Sequence, residues 1–103
     1  MKTIWQAEMR SRLDQIYTRL AAGRDVPPGL QLRAEGFAEA GLALSLCSAD
    51  ELVALIEDRH QAHLGVSVSS HCGFAAHEAV ADGGTVRLPV QMQRAPVVPT
   101  TRD

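Results

Sequence analysis

The chain has 103 residues, of which 46% are hydrophobic and 21% charged, with a formal net charge of −2. That length allows one domain, and that apolar content argues against a wholly disordered chain. The longest near-apolar stretch, Gly36 to Cys47, contains Glu39 and is too short to span a bilayer, and the slight negative charge disfavours binding to nucleic acid.

No basic region followed by an apolar run opens the chain, so the expected location is the cytoplasm. The two cysteines, Cys47 and Cys72, are then expected as free thiols. The aromatic residues are Trp5, Tyr17, Phe37 and Phe74. So small an aromatic complement leaves the core to Leu, Val, Ile and Ala, and self-association would add to what those residues can bury.

The first helix is predicted from about Ile4 to Ala22. Thr3 is the expected N-cap, with Gln6 three residues on as its capping-box partner. Trp5, Met9, Leu13, Ile16 and Leu20 recur at spacings of four and three and form one apolar stripe, widened by Ile4 and Tyr17. Gly23 is the expected stop. Pro27 and Pro28 then open a second helix, predicted from Pro28 to Leu46. Its second half, Gly36 to Cys47, is apolar almost all round, the pattern of a helix covered on more than one side. Gly36 with Ala40, and Gly41 with Ser45, place small residues one turn apart. An interior helical glycine costs about 1 kcal/mol relative to alanine, which argues for a packing reason.

The third helix has the clearest local signals. Ser48 and Glu51 have capping-box spacing, and Cys47 can staple onto Leu52. Leu52, Leu55 and Ile56 form the apolar face, and Gly65 follows the expected end near Leu64. Beyond it, Val66 to Ser69 alternates as a short strand. Phe74 to Ala81 reads as a two-turn helix stopped at Asp82-Gly83-Gly84. Thr85 to Leu88 reads as a further strand ended by Pro89, and residues 94–103 as a loose tail.

Histidines cluster: His60, His63, His71 and His77 fall within 18 residues, together with Cys72. These residue types are zinc ligands, although their spacing matches no standard knuckle. The alternative places His60 and His63 near a helix C-terminus, where the dipole favours them. Cys72 beside a histidine lacks any surrounding catalytic signature, and no phosphate loop or nucleophile elbow occurs, so no enzymatic activity is expected. A helix-turn-helix reading of the second and third helices conflicts with Asp50, Glu51, Glu57 and Asp58, which would repel phosphates.

Length, the helical segment from Trp5 to Leu20, and the apolar pair Gly36–Cys47 and Ser48–Leu64 resemble the QslA-type anti-activators of bacterial quorum sensing. The resemblance covers roughly the first 64 residues and transfers no functional residue. It implies a homodimer that binds a LuxR-type transcription factor and occupies a surface which that factor would use to dimerise.

The combined reading is a mainly α protein, with a three-helix domain over residues 1–65 and an irregular segment over 66–103, expected to dimerise. Its expected function is protein–protein interaction, as a negative regulator that sequesters a partner. No cofactor, membrane or direct nucleic-acid contact is expected. Surplus apolar area on the first two helices nominates Trp5, Met9, Leu13, Phe37, Leu42 and Leu46 as interface residues; three helices leave one face of the second uncovered, and either the C-terminal segment or, as the favoured reading, another chain covers it. The alternative is a small metal-binding protein using His60, His63, His71, Cys72 and His77.

Overall fold

The computed structural model of the protein describes residues 1–90. It is mainly helical. Helices α1 (Lys2–Ala21), α2 (Pro28–Ala43) and α3 (Ala49–Leu64) are followed by a short helix α4 (Val68–Cys72) and a 3-10 turn (Ala76–Ala79). Helix α1 packs on both α2 and α3, and α3 also carries α4 and the 3-10 turn.

The apolar stripe of α1 faces inward as its spacing requires: Trp5, Met9, Leu13, Ile16 and Tyr17 are buried. Ile4 instead points outward, 73% exposed. The helix starts earlier than the Thr3 signal predicts. Met1 occupies the N-cap position, its carbonyl accepts the Trp5 N–H at 3.0 Å, and no side chain caps the end. Thr3 therefore lies inside the first turn. At the other end Gly23, at φ 72°, closes a Schellman motif, with Arg24 N–H on Arg19 O at 2.8 Å and Gly23 N–H on Leu20 O at 3.0 Å.

Helix α2 begins on Pro28, with Pro27 extended before it. It stops at Ala43, three residues before the predicted Leu46. The reason is a second Schellman closure: Leu46 N–H reaches Gly41 O at 2.8 Å, and Ser45 takes the left-handed conformation at φ 57°. That turn frees Ser48 to cap α3. The capping box forms in full, with Glu51 N–H on Ser48 Oγ at 3.1 Å and Ser48 N–H on Glu51 Oε1 at 2.8 Å.

The α1–α2 contact turns on one residue pair. The Trp5 indole donates from Nε1 to Phe37 O at 3.1 Å and stacks on the Phe37 ring at 5.7 Å. The Arg12 guanidinium lies over the same Phe37 ring at 4.6 Å. A side chain on Gly41 would collide with the indole. Gly41 thus leaves room for an aromatic ring of α1. Gly36 has open space where a side chain would stand.

Residues 66–90 depart most from the sequence expectation. Val66 to Ser69 does not form a strand. Ser67 accepts the Ser70 N–H, and Glu57 accepts the Val68 N–H at 3.0 Å, so the chain turns into α4. The expected two-turn helix is a single 3-10 turn, because Val80 is drawn into an antiparallel bridge with Val86. Gly83 and Gly84, at φ 90° and 85°, make the reversal between them.

The extended piece from Thr85 to Leu88 has no neighbouring strand on its outer edge among the described residues. Helix α2 supplies acceptors instead. Glu39 Oε2 accepts Val86 N–H at 2.9 Å, and Glu35 Oε2 accepts Leu88 N–H at 2.7 Å. Residues four apart on a helix are separated by roughly 6 Å along its axis, and residues two apart on an extended chain by roughly 6.6–6.8 Å. The two glutamates therefore match alternate amides. Val68, Ala76, Ala79, Val86 and Leu88 complete the same core as the three long helices. Residues 66–90 thus cover one flank of α2, the alternative that the sequence leaves open beside the favoured coverage by another chain. The expected tail over 94–103 lies outside the described residues.

Replacing Gly41 by Ala forces the Trp5 ring to move. The expected result is a loss of about 1–3 kcal/mol in stability, read from the urea unfolding midpoint.

Candidate functional site

The predicted interface residues divide into two groups. Trp5, Met9 and Leu13 are core residues, at 6%, 0% and 0% exposure. That corrects their assignment to a contact surface: the stripe of α1 is consumed by α2 and α3. Phe37, Leu42 and Leu46 are half-buried and pack against the same core.

What remains open is the outer face of α2. Leu32 and Leu44 are 65% and 68% exposed, and Gly36 and Ala40 lie exposed between them. Leu32, Gly36, Ala40 and Leu44 recur every four residues and form one stripe. The sequence suggested small residues on this helix but did not show which would face out, because the phase depends on the Trp5–Gly41 contact.

Two concave regions flank α2. On the α1 side lies an open cleft of about 740 Å³. Arg10, Arg19, Arg24 and Arg33 line it over an apolar floor that includes Leu30 and Pro27. Its one acid, Asp14, is already engaged by His63 Nε2 at 2.8 Å and Arg59 Nε at 3.5 Å. On the other side a groove of about 600 Å³ runs between α2 and the C-terminal segment, past Leu32, Glu35, Phe74, Arg87 and Leu88.

The histidine cluster separates in space. His63 turns to Asp14 of α1, and His77 is exposed on the 3-10 turn. His60 and His71 come together with ring centroids 5.4 Å apart, and Tyr17 packs edge-on against His60 at 5.3 Å. Cys72 stands beside them with its thiol toward Pro89 O at 3.7 Å. Among the described residues no three His, Cys, Asp or Glu side chains are placed to hold a metal ion. Burial, with Glu57 nearby, pushes the Cys72 thiol up, the opposite of an activated thiolate. Cys47 is a buried free thiol, raised by burial and by Glu51.

The sequence reading overlooked three carboxylates. Glu35, Glu39 and Glu57 each accept a backbone N–H from the C-terminal segment. The available signal was the i,i+4 spacing of Glu35 and Glu39 on a helix otherwise poor in charge.

No helix among the described residues is long and apolar enough to cross a membrane. His60 gives the fold a pH dependence. Burial pushes its pKa below the ordinary value, and His71 adds to this, against the Val66 hydrogen bond and Glu57. The unfolded chain therefore takes up the proton first. The His60 contribution is complete above about pH 6.5 and is lost as the pH falls toward the depressed folded value. Urea midpoints should drop between about pH 7.5 and about pH 5, with a flatter slope in His60→Gln. Compared with known proteins, the chain matches no family model, no curated protein and no solved structure.

Proposed function

We propose that this protein works by binding another protein, as a negative regulator that sequesters its target. The observation that carries this reading is the uncovered stripe of α2. Two large aliphatic side chains, Leu32 and Leu44, stand out from the surface with glycine and alanine between them. An apolar face of this kind stabilises a complex when a second surface removes it from water. The small residues let a partner backbone approach closely, and the arginine cleft beside the stripe supplies a polar rim.

Resemblance to the QslA-type anti-activators names the expected target, a LuxR-type transcription factor, and the expected form, a homodimer. The contact residues move with the geometry, from Trp5, Met9 and Leu13 to Leu32, Gly36, Ala40 and Leu44. Leu42 and Leu46 flank the stripe. No chemical step is required.

The test uses purified full-length protein and the ligand-binding domain of a LuxR-type regulator. Leu32→Asp with Leu44→Asp should abolish both self-association and capture of that domain. The fold should survive, because exposed substitutions usually change stability by about 0.5 kcal/mol or less. Gly36→Ala makes the sharper test. It should stabilise the isolated chain by about 1 kcal/mol, since nothing occupies the space, yet weaken the complex. A wild-type chain that stays monomeric and captures no such domain overturns the proposal.

A further inference from the structure

We propose that the cleft between α1 and α2 binds an acidic segment of a partner protein, whose carboxylates are held by Arg10, Arg19, Arg24 and Arg33; the proposal rests on the sequestering function above and names the chemistry of its partner. Positive charge gathers in this cleft although the whole chain carries a formal net charge of −2. Asp14, the one acid of the lining, is already matched by His63 Nε2 at 2.8 Å and Arg59 Nε at 3.5 Å, two residues that do not line the cleft. Arg10 meets it only at 4.0 Å, and Arg19, Arg24 and Arg33 make no ion pair among the described residues. Lys2 and Arg12 show the contrast, since each meets a carboxylate at 3.1 Å.

Guanidiniums gathered around one cleft repel each other and raise its potential, so the complementary guest is an anion. Each guanidinium offers a carboxylate a forked pair of N–H donors. The spread of the arginines sets the length of that guest. Arg19 stands near the end of α1, Arg24 in the connection and Arg33 near the start of α2. Arg10 precedes Arg19 by nine residues, about 13.5 Å along the helix axis. An extended peptide covers that span in about four residues.

The lining also selects among polyanions. It holds no aromatic ring on which a nucleic-acid base would stack. A phosphate backbone continuing past the cleft would run along a chain of net negative charge. A peptide segment ends where the cleft ends, and an aliphatic side chain between its acids meets the apolar floor of Leu30 and Pro27. The cleft shares no residue with the Leu32–Leu44 stripe, so the two surfaces are separable by substitution.

The probe is a fluorescein-labelled peptide with three glutamates on each side of a leucine, added to the purified full chain. It should bind, and added salt should weaken it. Arg24→Gln and Arg33→Gln, both at exposed positions, should each weaken it about two- to fivefold. Arg87→Gln removes the same charge from the other groove and should leave the affinity unchanged. Leu44→Asp should bind the peptide as the wild type does, since Leu44 lies at the far end of α2. No binding, equal binding of the glutamine version of the peptide, or equal losses in Arg33→Gln and Arg87→Gln overturns the proposal. Preference for a DNA duplex over the peptide overturns it too. A chain that ignores the peptide yet captures the LuxR-type domain refutes the acidic guest and leaves the sequestering function standing. Peptide binding without capture supports the cleft and removes that function.

Discussion

Three glutamates hold this fold closed. Glu35 and Glu39 of α2 and Glu57 of α3 accept the backbone amides of Leu88, Val86 and Val68. A carboxylate–amide bond is charge-assisted and stronger than a neutral one. It also removes the cost of burying amides that no strand pairs with. Without these acceptors the extended piece around Val86 would have one satisfied edge and one orphaned edge against an apolar helix. With them, Val86, Leu88 and Pro89 sit in the core. The irregular segment thus completes the interior of the helical unit and does not stand as an appendage.

This closure shapes both regions of functional interest. It covers the flank of α2 that carries Glu35 and Glu39 and leaves uncovered the face that carries Leu32 and Leu44. It also brings His71 and Cys72 of α4 against His60 and Tyr17, and so keeps two of the four clustered histidines together. His63 is drawn off by Asp14, whose carboxylate also meets Arg59. The cluster and the surface stripe lie on different elements, and neither supplies residues to the other.

The local rules carried far along this chain. Periodicity located the buried face of α1, Pro28 opened α2, and the Ser48–Glu51 box with Gly65 bounded α3 within a residue. These signals are legible because each depends on neighbours a turn away. Failures arose where a distant partner decided the outcome. Val66 to Ser69 alternates like a strand, yet Glu57, eleven residues back, caps it as a helical turn. The Phe74–Ala81 helix was cut short by the Val80–Val86 bridge. Pattern alone nominates Trp5, Met9 and Leu13 for an interface because it does not say how much of an apolar stripe the rest of the chain covers. Glu35 and Glu39 do not stand out in the sequence because a carboxylate on a helix is ordinarily a solvated side chain.

The indole of Trp5 fills the space that a side chain on Gly41 would need. A helix seated on a single bulky ring in this way resists rotation about its own axis. Turning α2 by one residue would advance it about 100° and drive the next side chain into the indole. The angular setting of α2 is therefore indexed from the inside, like a key held by its notch. What the protein displays to its surroundings is decided by a glycine that no partner ever touches.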